Sequence, residues 1–207
     1  MQADLDRILF DEATIHRRLD ELAERIAHDY RDRELTVIAV LNGSVILMAD
    51  LLRRIPLPLK FDCLSVASYH GGIKPAGEPV FRQVPLPDVT GRHVLILDDI
   101  LDSGGTLASI RELHQSRLHR RDVQLAGAPR RLQRHAELPA RDLFFQCLDI
   151  RVLLEKKKIR TRAVEPNYVG FEIADEFVVG YGLDYMERYR NLPCIGVLRN
   201  DLIAQTA

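Results

Sequence analysis

The chain has no long apolar stretch, few cysteines and no excess of charge of either sign. Its 207 residues carry 29 Lys and Arg against 30 Asp and Glu, which gives a formal net charge of −1 at pH 7. The longest uncharged apolar stretch, residues 41–49, is far shorter than the roughly 18 residues that a membrane-spanning helix needs. These features exclude a membrane-spanning helix, and the length indicates one globular domain.

The cysteines and the first residues indicate the compartment. Cys63, Cys147 and Cys194 are widely separated and form no C-x-x-C pair, which favours reduced, buried thiols over disulfides or a zinc site. The chain starts with acidic residues such as Asp4 and Asp6 and has no apolar segment there. We therefore expect neither a secretory signal nor a transit peptide, and a cytoplasmic location.

Hydrophobic periodicity predicts alternating helices and strands. Apolar residues at steps of three and four predict a helix over residues 15–30, and continuous β-branched runs predict buried strands. The predicted strands are residues 36–41, 61–69, 93–97, 123–128, 177–181 and 195–198, and residues 143–154 hold another apolar segment. The further predicted helices are residues 45–55 and 106–118. This alternation predicts an α/β fold with a parallel sheet, and the glycine-rich residues 70–77 predict a mobile loop.

The most informative segment is residues 94–106. Four apolar residues lead into the carboxylates Asp98, Asp99 and Asp102, and the turn Ser103-Gly104-Gly105-Thr106 then opens a predicted helix. Backbone amides at a helix N-terminus favour a phosphate, whereas the adjacent carboxylates would repel it. A phosphorylated sugar bound with a divalent cation resolves this conflict, although D-S-G-G-T alone would equally fit a capped helix after a surface turn. The sequence contains no G-x-x-x-x-G-K-[ST], G-x-G-x-x-G or H-E-x-x-H motif.

This segment resembles the 5-phosphoribosyl-1-diphosphate (PRPP) signature of the type I phosphoribosyltransferases. The resemblance implies that Asp98 and Asp99 meet the ribose hydroxyls directly or through Mg²⁺, and that residues 103–106 hold the 5-phosphate. It places Asp102 near N7 of a purine as the general base. Such a carboxylate would take the N7 proton as N9 attacks the anomeric carbon, which prevents positive charge from building on the ring.

Two further segments resemble the hypoxanthine-guanine branch of that family. Asn42 and Gly43 fall in a turn similar to its pyrophosphate-binding turn, which the family builds with a cis peptide, here between residues 41 and 42; the family usually has Lys or Arg where Asn42 stands. Ser68 and Tyr69 are similar to the start of its mobile catalytic loop, which closes over the reaction centre and excludes water. Arg190 matches an arginine that reaches pyrophosphate.

Residues 167–185 are similar, almost position by position, to the purine-binding hood of this branch. The resemblance implies that Phe177 stacks on the purine, that Val178 offers backbone groups to it, and that Asp184 supplies a Mg²⁺-linked carboxylate. Lys156 aligns with the lysine that donates to O6 and rejects the amino group of adenine. Because Lys157 and Lys158 follow directly, the pattern leaves open which of the three lysines meets O6.

The resemblance implies the fold and activity together. We expect a single type I phosphoribosyltransferase domain over residues 1–207, with a mostly parallel twisted sheet in a core of about 15–155 and a hood formed by about 156–207 with the N-terminus. The implied reaction is purine salvage: hypoxanthine or guanine and PRPP give IMP or GMP and pyrophosphate. The implied cofactor is Mg²⁺, held by Asp98, Asp99 and Asp184, and the implied assembly is a homo-oligomer, dimer or tetramer, without membrane or nucleic acid.

Two alternatives remain open from the sequence. A xanthine-preferring enzyme would differ only around position 2 of the purine, which backbone groups near Val178 and Asp184 recognise in the family. A PRPP-sensing regulator on the same fold would bind RNA through a basic face, and residues 111–162 do hold 14 Lys and Arg against 6 Asp and Glu. The segment of about 122–149 matches nothing in the family pattern.

Overall fold

The computed structural model of the chain describes residues 1–67, 80–81, 89, 91–112, 147–160, 162 and 164–203. Ser68 and Tyr69 of the predicted loop, the predicted strand at 123–128 and most of the unmatched segment of about 122–149 lie outside the described residues. No helix in the described ranges is long and apolar enough to cross a membrane.

Most described elements lie where the sequence predicts them, but the strands at residues 5–10, 80–81 and 168–173 were not predicted. The strands are β1 (Leu5–Phe10), β2 (Leu35–Leu41), β3 (Leu59–Ala67), β4 (Val80–Phe81), β5 (His93–Leu101), β6 (Cys147–Lys156), β7 (Tyr168–Ile173), β8 (Val178–Val179) and β9 (Ile195–Leu198). The helices are α1 (Glu12–Asp29), α2 (Val45–Leu52) and α3 (105–112), with a short 3-10 turn at Gln2–Asp4 and a short helix at Asn200–Ile203 near the two ends of the described chain.

Helix α1 forms where the apolar spacing predicts a helix. Its start is fixed by Asp11, whose side chain accepts a hydrogen bond from the backbone N–H of Thr14 at 2.8 Å, an N-cap interaction of the kind that stabilises helices by about 1 kcal/mol. The apolar stripe turns into the core, where Ile15, Leu19 and Ile26 have no exposed surface.

The main sheet has six strands in the order β4-β3-β2-β5-β6-β7. Five neighbouring strands, in the order β3-β2-β5-β6-β7, pair in parallel. The edge strand β4 pairs antiparallel with β3. Side chains on one face pack with α1 and α2, while those on the other face pack with α3. The predicted α/β fold with a mostly parallel sheet is confirmed.

Several predicted boundaries differ from the structure, and the end of β5 is the one that bears on the site. The sequence predicts that the strand over residues 93–97 ends at the acidic pair Asp98-Asp99, but β5 continues to Leu101. The reason is the neighbouring strand, because β6 continues to pair with β5 as far as Leu101 and Glu155. The two carboxylates therefore lie on paired, ordered backbone at the carboxyl end of the sheet.

A second, smaller sheet joins the two ends of the described chain. Its strand order is β1-β9-β8, and both pairings are antiparallel. A separate apolar cluster fills this region and includes Val179, Tyr185, Tyr189 and Leu198. The sheet carries Val178 and places the segment after it, residues 180–190, next to the carboxyl ends of the main strands.

Candidate active site

Asp98 and Asp99 place two adjacent carboxylates near the end of β5, of which Asp98 is buried and Asp99 partly buried. Asp98 is only 5% exposed, and its Oδ1 accepts a hydrogen bond from the backbone N–H of Asp99 at 3.1 Å. Burial raises the pKa of Asp98 well above its ordinary value, and the charge of Asp99 raises it further. Burial also raises the pKa of Asp99, against the opposing influence of its hydrogen bond with Asp98 and, more weakly, of nearby Arg190. A cation or hydroxyl donors would stabilise the ionised forms of two such carboxylates side by side.

The turn after β2 lies against this pair. The peptide bond between Leu41 and Asn42 is cis, as the resemblance implies, and Ser44 closes the turn by donating its hydroxyl to the carbonyl of Val40 at 2.5 Å. A Cβ on Gly43 would lie 1.6 Å from Oδ2 of Asp99. Only glycine can therefore occupy position 43 with Asp99 in this position.

Residues 180–182 cover the same turn from the hood. Gly182 has a φ of +101°, and a Cβ there would lie 2.0 Å from the carbonyl oxygen of Gly43. Next to it, the Tyr181 hydroxyl donates to Oδ2 of Asp50 in α2 at 2.6 Å. Three segments that are far apart in the sequence, at Gly43, Asp99 and Gly182, thus meet at one place.

The turn of residues 102–106 leads directly into α3, as predicted. Gly104 has a φ of +79°, and a Cβ on it would lie 2.5 Å from the carbonyl oxygen of Arg162. The helix begins at Gly105, and the backbone N–H of Ala108 donates to the carbonyl of Gly104 at 3.0 Å. The first amides of α3 and the hydroxyls of Ser103 and Thr106 therefore belong to one tight turn at the end of β5, a geometry that suits an anion.

The lysine run divides between two environments. Lys156 is 8% exposed, and its Nζ lies 3.5 Å from Oδ2 of Asp102 and 3.3 Å from Oδ1 of Asp175. Lys158 contacts the same two carboxylates, Oδ1 of Asp102 and Oδ1 of Asp175. Lys157 instead pairs with Glu172 at 2.8 Å, and more than half of both side chains is exposed. The structure thus removes Lys157 from the site.

Among the remaining predicted hood residues, Asp184 contacts Arg190. Its guanidinium contacts Oδ1 of Asp184 at 2.7 Å and donates to the carbonyl of Gly182 at 2.6 Å. Phe177 packs edge to face with Tyr185 at a centroid distance of 5.4 Å. Val178, which is buried, pairs with β9 in the small sheet.

Comparison with known proteins agrees with this geometry. Residues 8–124 match the family described as the phosphoribosyl transferase domain. The hypoxanthine-guanine phosphoribosyltransferase of Staphylococcus epidermidis is 39% identical over 205 residues, which cover 99% of this chain and 100% of that protein. The chain belongs to the hypoxanthine-guanine phosphoribosyltransferases.

Solved structures of this family have the same fold. A crystal structure of a hypoxanthine phosphoribosyltransferase from Staphylococcus aureus superposes with a TM-score of 0.79 at 38% identity, covering 98% of this chain and 96% of that one. The hypoxanthine phosphoribosyltransferase of Trypanosoma cruzi, in complex with the product IMP, superposes with a TM-score of 0.76 at 30% identity, covering 96% and 97%.

Seen as a phosphoribosyltransferase, the chain has one site feature that the sequence did not reveal. Asp175 contacts both Lys156 and Lys158, and these lysines hold the pKa of its carboxyl below the ordinary value, Lys158 most strongly. Asp175 lies in an exposed turn after β7, and its neighbours in the sequence are those of an ordinary solvent-exposed aspartate. No local signal distinguishes it, because its partners lie 17 and 19 residues earlier.

Proposed function

We propose that this phosphoribosyltransferase joins hypoxanthine or guanine to PRPP, giving IMP or GMP and pyrophosphate in purine salvage. The observation that carries the proposal is the contact of Lys156 with Asp102. In a 6-oxopurine, O6 and N7 are neighbours on one edge, so a site for it needs a cationic donor beside a carboxylate acceptor. The 3.5 Å between Nζ of Lys156 and Oδ2 of Asp102 is a spacing of that kind.

The proposed roles follow the position of each group. The turn of residues 103–106 holds the 5-phosphate on the first amides of α3, and Asp98 and Asp99 take the ribose hydroxyls. Asn42 and Gly43, in the turn that packs on Asp99, and Arg190, which donates to the carbonyl of Gly182, bind pyrophosphate. Phe177 stacks on the purine, and the backbone of Val178 binds its far edge, with Asp184 nearby.

Asp102 is the proposed general base. Its carboxylate takes the proton from N7 while N9 of the base attacks the anomeric carbon and the bond from that carbon to pyrophosphate breaks. Lys156 donates to O6, so the same side chain binds the substrate and selects it. The 6-amino group of adenine presents donors to this ammonium where a 6-oxopurine presents an acceptor, and this mismatch disfavours adenine.

The carboxylate pair fits a magnesium ion. Mg²⁺ is commonly bound by one or two carboxylates together with substrate phosphates, and Asp98 and Asp99 are two adjacent carboxylates whose pKa values burial raises. Within the described ranges, no three His, Cys, Asp or Glu residues are grouped as metal ligands, so PRPP oxygens would complete the shell. Asp184 would join it after releasing Arg190. The ion would supply positive charge to the departing pyrophosphate.

The decisive experiment is absorbance-monitored nucleotide formation from PRPP and Mg²⁺ with hypoxanthine, guanine, xanthine and adenine in parallel. We expect turnover of hypoxanthine and guanine and none of adenine. A preference for xanthine would change the proposed substrate but not the reaction. Silence with all four bases, together with PRPP binding and salt-sensitive RNA binding, would contradict the proposal and indicate a regulator. Light scattering on the same sample tests the proposed homo-oligomer, a dimer or tetramer.

The role of Lys156 has its own test. Lys156→Met should raise the KM for hypoxanthine by about 10- to 100-fold, because a hydrogen bond from a charged group contributes roughly 1.5–3 kcal/mol, and should leave the KM for PRPP nearly unchanged. The matched control is Lys157→Met, which removes an exposed ammonium paired with Glu172 and should change neither value. Equal effects of the two variants would refute the assignment.

A further inference from the structure

Lys158 contacts the proposed general base directly. Its Nζ meets Oδ1 of Asp102 and lies 3.1 Å from Oδ1 of Asp175. Lys156 takes the other oxygen of Asp102, Oδ2, at 3.5 Å. Two ammonium groups therefore share two carboxylates, and each oxygen of Asp102 faces a different lysine.

The backbone after β6 places Lys158 on the same side as Lys156. The N–H of Lys157 donates to the carbonyl of Ile173 at 2.9 Å, and the N–H of Lys158 turns back to the carbonyl of Lys156 at 3.1 Å. This turn sends the Lys157 side chain outwards to Glu172 and brings that of Lys158 inwards, where 27% of it is exposed. The contact with Asp102 thus follows from the backbone path.

We propose that Lys158 is a positioning residue of the transfer reaction, which holds Oδ1 of Asp102 so that Oδ2 stays ionised and faces the purine beside Lys156. The inference rests on the proposed function, since it needs Asp102 to act as the base. The chemistry of the purine edge divides the roles: the oxygen that receives the N7 proton must be the one next to the ammonium that binds O6. That oxygen is Oδ2, which leaves Oδ1 for Lys158.

The positive charges of Lys156 and Lys158 support these separate roles for the two oxygens of Asp102. An opposite charge within about 4–6 Å lowers the pKa of a carboxyl by roughly 1–3 units. When a purine binds, Lys156 turns part of its charge to O6, and Lys158 continues to stabilise the ionised form of Asp102. Lys158 itself stays protonated: burial lowers its pKa, but its hydrogen bonds to Asp102 and Asp175 outweigh burial and raise it overall.

The described charged groups around Asp102 are few. Lys156 and Lys158 face it from the end of β6, and Asp175 faces the two lysines from the turn after β7. Arg162 packs its backbone against the neighbouring turn, but its guanidinium turns to Glu112 at 2.9 Å. Lys158 is therefore the group whose removal should release Oδ1 of Asp102 without removing the O6 donor.

The test is the pH dependence of kcat/KM for hypoxanthine in Lys158→Met, with Lys157→Met as the matched control. We expect the apparent pKa of the acid limb to rise by about one unit in Lys158→Met, to keep its wild-type value in Lys157→Met, and to be restored in Lys158→Arg. The KM for hypoxanthine should change far less than in Lys156→Met. An unshifted acid limb would overturn the proposal, and so would a KM effect as large as that of Lys156→Met, because Lys158 would then be the O6 donor.

A second readout is independent of turnover. With ¹³C-labelled aspartate carboxyls, and Asp102 assigned through Asp102→Asn, the carboxyl chemical shift of Asp102 should differ from the wild-type value in Lys158→Met and keep that value in Lys157→Met. An unchanged value would show that the contact does not control the carboxylate. Wild-type protein that turns over no base would refute the proposed function itself, whereas an active wild type with unshifted variants would refute only the role of Lys158.

Discussion

Arg151 is a buried arginine whose replacement should stabilise the protein. It lies in β6 with no exposed surface, and none of its three guanidinium nitrogens has a hydrogen-bond partner among the described residues. Its guanidinium carbon lies 4.5 Å from the ring centroid of Tyr168. The nearby carboxylates of Asp29 and Asp149 accept hydrogen bonds from the hydroxyls of Tyr168 and Tyr30, at 2.6 and 2.7 Å.

The size of the expected stabilisation follows from the pKa of Arg151. Burial lowers the pKa of Arg151 from 12.5 to about 9, and each pKa unit corresponds to about 1.4 kcal/mol, so the buried charge costs about 5 kcal/mol. Methionine keeps an unbranched apolar stem without the charge, and buried charges replaced in this way often increase stability by about 1–4 kcal/mol. We expect Arg151→Met to raise the free energy of unfolding by about 2 kcal/mol.

Urea unfolding at pH 7 and fixed protein concentration measures this change. The control is Arg25→Met, which removes an exposed guanidinium 5.3 Å from the same Tyr168 ring and should alter stability by less than about 0.5 kcal/mol. A loss of 1 kcal/mol or more in Arg151→Met would refute the reasoning, since it would mean that the guanidinium is a net stabilising group in the folded protein.

Two further predictions concern the site. Asp102→Asn should keep PRPP binding, which rests on the neighbouring turn, and lower kcat by roughly 10²- to 10⁴-fold, the usual loss for a general base; an unchanged kcat in steady-state assays would remove Asp102 from the mechanism. Gly182→Ala should raise the KM for PRPP, because its Cβ would lie 2.0 Å from the carbonyl oxygen of Gly43 and displace that turn. The control Gly91→Ala also has a positive φ, +69°, but meets nothing within 4 Å, so it should cost only backbone strain of about 1 kcal/mol and leave the KM unchanged.

Much of the fold follows from local patterns. The apolar stripe of α1 and the buried runs of β2, β5 and β9 depend on neighbours within a few residues, so their periodicity predicted these elements. Strand β1 was not predicted, because Asp6 and Arg7 interrupt its apolar residues and it becomes a strand by pairing with β9, almost two hundred residues later. The end of β5 was misplaced for the same reason, since pairing with β6 carries it past Asp98.

The sequence by itself determined the turn of residues 102–106, because three carboxylates, a glycine turn and a helix start are contiguous and their chemistry can be read locally. Only the tertiary structure decided which lysines face Asp102, that Asp175 joins them, and that Gly43, Asp99 and Gly182 meet. Three consecutive lysines have the same chemistry in the sequence, and the turn after β6 alone separates Lys157, which meets Glu172, from Lys156 and Lys158. Contacts of this kind depend on where distant segments lie after folding, which no pattern of neighbouring residues records.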